Sequence, residues 1–179
     1  MTLDNNYTLL YNTFRNLELD IIKIAWGSLV TNTQLDDLFI DDFSNHLGVN
    51  NSLSYYNYDP SYKYVYKTSS QNLRVIMNSW VASLLNPLSA YCALEIYPPE
   101  SGYTINDDIV VSISIDNGVH FEEFANLFQI YEFQSSSVVY LRGEINNLVF
   151  YDDNRVIFKV QCNNDIDIKL SALAVGVRY

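Results

Sequence analysis

The chain has 179 residues, of which 49% are apolar and 15% aromatic, and its formal net charge is −11. This length suits one folded domain plus an appendage and allows a sizeable core. The ten basic residues are scattered without a run or stripe. Because phosphate neutralisation supplies most non-specific affinity for nucleic acids, the composition argues against nucleic-acid binding. The acidity is typical of a solubilising surface, and the alternative interpretation is that acidic loops bind calcium.

Neither a membrane span nor a secretion signal is predicted. No stretch reaches the roughly 18 apolar residues that a spanning helix requires. The N-terminus lacks a basic region followed by an apolar core. Cys92 and Cys162 lie in strand-like segments and could pair if their strands were neighbours, but free buried thiols are the favoured interpretation.

The first predicted element is a helix over residues 3–26, where apolar residues recur every seven positions in two registers. Together they form an a/d seam of about three heptads, the lower limit for a coiled coil. Two interpretations follow: identical helices self-associate, or the helix docks onto the chain's own β-sandwich or another protein. Gly27 is expected to end the helix. The candidate oligomerisation residues are Leu3, Tyr7, Leu10, Phe14, Leu17, Ile21 and Ile24.

A connector rich in Asn, Asp and Ser is predicted over residues 28–61. Its four aspartates between Leu35 and Phe43 lack the Asp-x-Asp-x-Asp-Gly order of an EF-hand loop, so we expect a solvated loop or short helix. His46 is expected to make a polar contact rather than bind a metal. The predicted domains are therefore residues 1–61, for anchoring or oligomerisation, and residues 62–179.

Residues 62–179 are predicted to form a mainly β, antiparallel, jelly-roll-like β-sandwich. Eight or nine short apolar runs separated by turn-like residues favour a sandwich, and an even strand count with an inserted loop fits a jelly roll. The last run becomes apolar throughout at residues 172–175, which indicates burial on both faces, in the core or against another subunit. The predicted strands are 62–68, 72–82, 91–97, 108–116, 119–124, 127–133, 138–142, 155–162 and 166–178.

The best-determined element is a hairpin around residues 107–124. Branched residues alternate over 109–115 and place one apolar face toward a core. Asn117-Gly118 predicts a type I′ turn, since both residues accept positive φ. Val119, Phe121 and, less regularly, Phe124 are expected to begin the return strand.

No catalytic constellation is evident, and the chain is predicted not to be an enzyme. The only histidines are His46 and His120, and no Ser or Cys nucleophile motif, phosphate loop or zinc spacing is present. His120 is expected to make a surface or cross-strand contact. Because a glycosidase needs only two carboxylates, five glutamates on or near strands leave that chemistry open. Trp80 is expected in the core, with a sugar-stacking platform together with tyrosines as the alternative.

Three segments resemble bacteriophage virion proteins. In residues 38–66 an acidic Asp-Asp-Phe precedes Gly-Val-Asn and a tyrosine-rich run, which is similar to the connector of those proteins. Residues 111–121 are similar to the segment of those proteins in which an Asp-Gly pair joins two strands. Residues 156–175 are similar to their closing hairpin.

This resemblance implies a tail-fibre, tail-spike or head-fibre component with a jelly-roll body, located in the virion and usually trimeric. The N-terminal seam would anchor or trimerise the protein, and the sandwich would face other virion proteins or the host surface, including a host-surface glycan. The family shares no catalytic residues, and no cofactor or metal is expected. The alternative function is a carbohydrate-binding β-sandwich module, calcium-assisted or not, and a polysaccharide hydrolase is the third hypothesis.

Overall fold

A computed structural model describes residues 35, 37–82, 87–133, 138–149 and 155–179. This part of the chain is mainly β, with twelve strands in antiparallel sheets and no helix. The predicted helix over residues 3–26 and its seven candidate oligomerisation residues lie outside the described residues. The strands are β1 (Asp37–Asp41), β2 (Asn57–Asp59), β3 (Tyr64–Tyr66), β4 (Arg74–Ile76), β5 (Trp80–Val81), β6 (Ser89–Tyr97), β7 (Ile109–Ser114), β8 (Glu122–Glu123), β9 (Phe128–Phe133), β10 (Val138–Asn146), β11 (Arg155–Cys162) and β12 (Lys169–Arg178).

The strands form two antiparallel sheets. A seven-stranded sheet has the order β2-β3-β12-β6-β10-β9, and β1 also pairs with β12, beyond the short β3. A five-stranded sheet has the order β4-β11-β7-β8, and β5 pairs with the start of β11. Both sheets belong to one compact unit that begins at Asp36, whereas the sequence division placed the boundary between residues 61 and 62.

Buried apolar side chains from both sheets form a single hydrophobic cluster. Leu94 and Val175 come from the seven-stranded sheet, and Val111 and Phe158 come from the five-stranded sheet. Successive side chains of a strand point to opposite faces, and these four lie on the faces that point toward the core. Full burial of an apolar side chain of this size stabilises the fold by roughly 1.5–3 kcal/mol. The core therefore lies between the sheets, and the predicted apolar face over residues 109–115 is confirmed.

Strand β12 is buried on both faces from Leu170 to Val177, which confirms the prediction for the last strand. Strand β6 beside it is similarly buried. Between Leu170 and Ala172 the register shifts at Ser171. The Ser171 hydroxyl donates a hydrogen bond of 2.6 Å to Oε1 of the fully buried Glu95. A side-chain hydrogen bond is therefore made at the position where the regular pairing of the strands is interrupted.

The loop or short helix expected at the four aspartates is wrong, because Asp37–Asp41 is strand β1. It pairs antiparallel with β12, from Asp37 opposite Val177 to Asp41 opposite Leu173. The short β3 leaves this part of the β12 edge without a partner, and its backbone groups need hydrogen bonds. Phe39 packs against the core cluster on one face of β1. A distant strand edge thus overrides the local preference of aspartate for loops.

The hairpin after β7 has the predicted turn but not the predicted return strand. Asn117 and Gly118 have φ of 59° and 87°, as a type I′ turn requires. The ladder resumes only at β8, where Glu122 lies opposite Ile113, and Val119 is 73% exposed. The expectation that the return strand begins at Val119 is therefore wrong, because side chains in the tip replace the ladder there, as described below.

The two cysteines are free and buried, as favoured from the sequence. Cys92 lies on β6 and Cys162 on β11, which belong to different sheets. Burial raises the pKa of the Cys92 thiol well above its usual range and raises that of Cys162 to about 12. Both therefore stay protonated at neutral pH and act as small apolar side chains. Within the described ranges, no helix has the length and apolar character needed to cross a membrane.

Candidate functional site

A cleft of about 270 Å³ lies where the β4 edge of the five-stranded sheet meets two loops. It combines one aromatic ring, one guanidinium and three carboxamide side chains, a set that can stack on a ligand and hydrogen-bond to it. Its volume is slightly below the usual range for small-molecule pockets, so it suits a ligand of about one ring. We call this feature the Arg74 cleft. It is lined by Tyr55, Gln71, Asn72, Leu73, Arg74, Gln161 and Cys162.

Tyr55 and Arg74 are held together by an isolated antiparallel bridge at the outer edge of β4. Each backbone N–H donates to the other residue's carbonyl, at 2.8 Å from Tyr55 and 2.9 Å from Arg74. The Arg74 guanidinium carbon lies 5.7 Å from the centroid of the Tyr55 ring, within the range of a cation–π interaction. Tyr55 remains 42% exposed. The bridge therefore fixes the cation while leaving part of the aromatic surface open to a ligand.

The loop that carries Gln71 into the cleft is held by its own hydrogen bonds. The Thr68 hydroxyl accepts the backbone N–H of Gln71 at 3.0 Å and donates to its carbonyl at 3.3 Å. Lys67 forms a 2.7 Å ion pair with Asp165 that ties this loop to the β11–β12 connection. The Cys162 N–H also donates to the Leu73 carbonyl at 2.8 Å. The cleft wall is therefore held by contacts within the chain.

Two cations lie on the same outward face of the five-stranded sheet. Register places Arg74 opposite Gln161 and Ile76 opposite Lys159, so Arg74 and Lys159 are diagonal neighbours. The Lys159 ammonium lies 4.2 Å from the centroid of the Phe121 ring. Burial lowers the pKa of the Lys159 amine, the Arg74 charge lowers it further, and Glu123 opposes the shift. Like charges placed side by side are unfavourable unless an anion joins them.

No carboxylate lies among the residues that line the cleft, and Glu123 acts on Lys159 outside it. The Nε atom of Arg74 is buried and makes no hydrogen bond. A buried donor without a partner costs about 1–3 kcal/mol of stability at this position. A cleft that contains a guanidinium and no carboxylate is unexpected in a chain whose net charge is −11.

A second aromatic cluster lies on the outer face of the seven-stranded sheet. Tyr62 and Tyr64 stack with their ring centroids 5.8 Å apart, and Tyr66 and Tyr97 approach Tyr64 edge-on or tilted. The Lys169 ammonium lies 5.2 Å from the Tyr64 ring. The rings pack mainly on one another, so this cluster offers less free aromatic face than the number of tyrosines suggests.

The tip after β7 brings Ser114, Asp116 and His120 together, but not as a catalytic triad. The Ser114 hydroxyl donates to the Asp116 carboxylate at 2.7 Å rather than to the imidazole. The same carboxylate accepts the His120 backbone N–H at 2.9 Å, and its second oxygen lies 2.6 Å from Nδ1. Although burial opposes it, hydrogen bonds from His120 and Ser114 lower the pKa of Asp116. These contacts brace the turn, and His120 makes a local surface contact.

The remaining residues singled out in the sequence have structural surroundings. Trp80 was expected in the core; it is half-buried, packs against the core cluster from its edge and stacks on Phe39 with the ring centroids 5.4 Å apart. His46 makes the expected polar contact, with its Nδ1 3.2 Å from the Tyr56 hydroxyl, and its ring stacks on Tyr58. Across the described ranges, no three His, Cys, Asp or Glu side chains are grouped to hold a metal ion.

Sequence reasoning missed the Arg74 cleft. Tyr55 was grouped with a run of tyrosines, and Arg74 was counted among scattered basic residues. The signal that could have found them is the alternation around Leu73 and Val75, which places Arg74 on the outward face of a predicted strand. Its pairing with Tyr55 depends on the path of the intervening loop, which no local pattern specifies.

No protein-family profile and no curated protein matches the chain. Among solved structures, it is similar to one described as a novel family GH115 4-O-methyl-alpha-glucuronidase with specificity for decorated arabinogalactans. The TM-score is 0.41 and the sequence identity is 8%. The match covers 79% of this chain but 17% of that enzyme. The chain therefore spans less than a fifth of that protein's length, and a likeness at this level says nothing about activity.

Proposed function

We propose that this chain is a non-enzymatic structural component of a bacteriophage virion, associated with a tail or fibre. It docks to other virion proteins as a homo-oligomer and contacts the host surface. The observation that carries the proposal is the order of its strands. Eight strands in chain order, from β3 to β12 without β5 and β9, lie as β3-β12-β6-β10 in one sheet and β4-β11-β7-β8 in the other.

That order supports the finer proposal that the two sheets form a jelly-roll sandwich. In a jelly roll, successive strands alternate between two packed sheets except at one hairpin, here β7 to β8. Jelly rolls occur in viral capsid proteins and in lectin domains. Because a fold hosts many functions, the virion assignment also rests on the resemblance of residues 38–66, 111–121 and 156–175 to virion proteins.

Light scattering on the purified full chain tests the assembly part of this proposal. A heptad seam over residues 3–26 predicts a homo-oligomer at micromolar concentration, with a trimer favoured by the resemblance. A protein that stays strictly monomeric across the micromolar range would contradict it. Sedimentation at two concentrations separates a stable oligomer from a weak, concentration-dependent one.

A carbohydrate-binding module is the second candidate function, and the Arg74 cleft favours it. An exposed aromatic ring beside carboxamide groups is a common way to bind a sugar ring through stacking and hydroxyl hydrogen bonds. Screening on a glycan array, once with calcium and once with a chelator, tests this candidate. No binding under either condition would remove it, and binding that needs calcium would assign the calcium-assisted form.

A further inference from the structure

The structure assigns the Arg74 cleft as a binding site for a carboxylate-bearing sugar, such as one uronic acid unit of an acidic polysaccharide. This inference rests on the carbohydrate-binding candidate and specifies its site and ligand class.

The charge of the cleft selects an anion. The guanidinium of Arg74 is planar and presents parallel N–H donors that match a carboxylate in a bidentate pair. No carboxylate is among the residues that line the cleft, and Lys159 lies diagonally beside Arg74 on the same face of the sheet. A carboxylate in the cleft would pair with the guanidinium charge and so reduce the repulsion between Arg74 and Lys159. A neutral sugar would do neither.

The shape and the remaining side chains select a sugar rather than a small inorganic anion. A volume of about 270 Å³ holds one pyranose ring. The part of Tyr55 that stays exposed offers a surface for the apolar face of that ring. The carboxamides of Gln71, Asn72 and Gln161 line the same space and can hydrogen-bond with hydroxyl groups. A phosphate ion alone would make no stacking contact with the Tyr55 ring and would not reach all of these amides.

The cleft is preorganised, so little ordering opposes binding. The bridge between Tyr55 and Arg74, the turn at Thr68 and the ion pair between Lys67 and Asp165 hold its walls. Preorganisation improves affinity by lowering the entropy lost on binding. At physiological salt, charges beyond about 8 Å are largely screened. The local cations then act on the ligand more strongly than the net charge of −11.

Titration of the full chain with two matched probes, methyl glucuronide and methyl glucoside, tests the inference at about 0.15 M salt. Amide resonances of Arg74 and Gln161 in NMR spectra report binding at the cleft. We expect the glucuronide to shift them and to bind at least tenfold more tightly than the glucoside, because a hydrogen bond to a charged group is stronger than one between neutral groups. Equal response to both probes, or shifts confined to other residues, would overturn the assignment.

Variants separate the contribution of the Arg74 guanidinium to binding from the contribution of net charge. Arg74→Gln should lose tenfold or more in affinity for methyl glucuronide, whereas Arg74→Lys, which keeps the charge but not the fork, should lose less. Lys169→Gln is the matched control, since it removes one positive charge from the other sheet. An equal loss in Arg74→Gln and Lys169→Gln would contradict the inference. If Arg74→Gln does not fold, the two-probe titration of the unmodified chain still decides.

The outcomes distinguish this inference from the functions on which it rests. Binding of neutral sugars at the cleft would keep the carbohydrate-binding candidate and remove the carboxylate assignment. Binding of no sugar at all would remove both. A monomeric protein that binds methyl glucuronide at the cleft would contradict the proposed virion assembly and leave this inference standing.

Discussion

Replacing Phe158 with Ala tests whether one core joins the two sheets. Phe158 lies at the centre of β11, is fully buried, and meets Phe124 edge-to-face with ring centroids 6.0 Å apart. Truncation of a buried Phe to Ala costs about 3–5 kcal/mol, and the ring pair accounts for roughly 0.5–1.5 kcal/mol of that stability. We therefore expect Phe158→Ala to lower the free energy of unfolding by about 4 kcal/mol.

Equilibrium unfolding in urea measures this change. With a denaturant slope of about 2 kcal/mol per molar, typical of small proteins, the midpoint should fall by about 2 M. Val119→Ala is the control, because Val119 is 73% exposed and exposed substitutions usually change stability by less than about 0.5 kcal/mol. If Phe158→Ala proves too unstable to purify, Phe158→Leu should show a smaller loss. A loss for Phe158→Ala as small as that of the control would refute a shared core.

Three further predictions concern packing, pH and assembly. Gly143→Ala should destabilise the fold by about 1–3 kcal/mol through overpacking, seen in urea unfolding, because the added Cβ would lie 2.8 Å from one core atom and 3.1 Å from two more. Burial raises the pKa of Asp41, so its ionisation weakens the fold as pH rises above about 4; Asp41→Asn should show a higher melting temperature at pH 7 and little difference at pH 3. The double variant Leu10→Asp with Leu17→Asp should be monomeric in light scattering, whereas Leu9→Asp, which lies off the seam, should remain oligomeric.

Each of these predictions has a result that would contradict it. Unchanged stability in Gly143→Ala would mean that β10 does not approach the core as closely as the structure places it. A melting temperature for Asp41→Asn that stays equal to the wild type at every pH would show that Asp41 is solvated. A monomer produced equally by the on-seam and off-seam substitutions would indicate unfolding rather than loss of a specific seam.

Strand β7 and the turn after it were predictable because their side-chain pattern is local. Alternation over residues 109–115 identified an inward face, and Asn117-Gly118 identified a turn by its need for positive φ. The tip beyond that turn was not predictable from periodicity. There the Asp116 carboxylate accepts backbone and side-chain hydrogen bonds from His120, and these local contacts replace the cross-strand ladder.

The features that sequence reasoning missed depend on distant partners. Strand β1 contains aspartates that favour loops, and it forms because β12 offers an open edge far along the chain. The Arg74 cleft depends on the bridge from Tyr55 to Arg74 and on the register between β4 and β11. Neither contact follows from propensity, so the candidate site emerges only once the sheets are in place.

Mass spectrometry of purified particles tests the proposed virion role most directly. Particles from cells that encode this chain would be banded in a density gradient, stripped of loosely bound protein with high salt, and analysed for its peptides. A virion component should remain with the particles at a constant ratio to the major structural protein through repeated banding. A chain found only in the soluble lysate, and absent from infectious particles, would contradict the account.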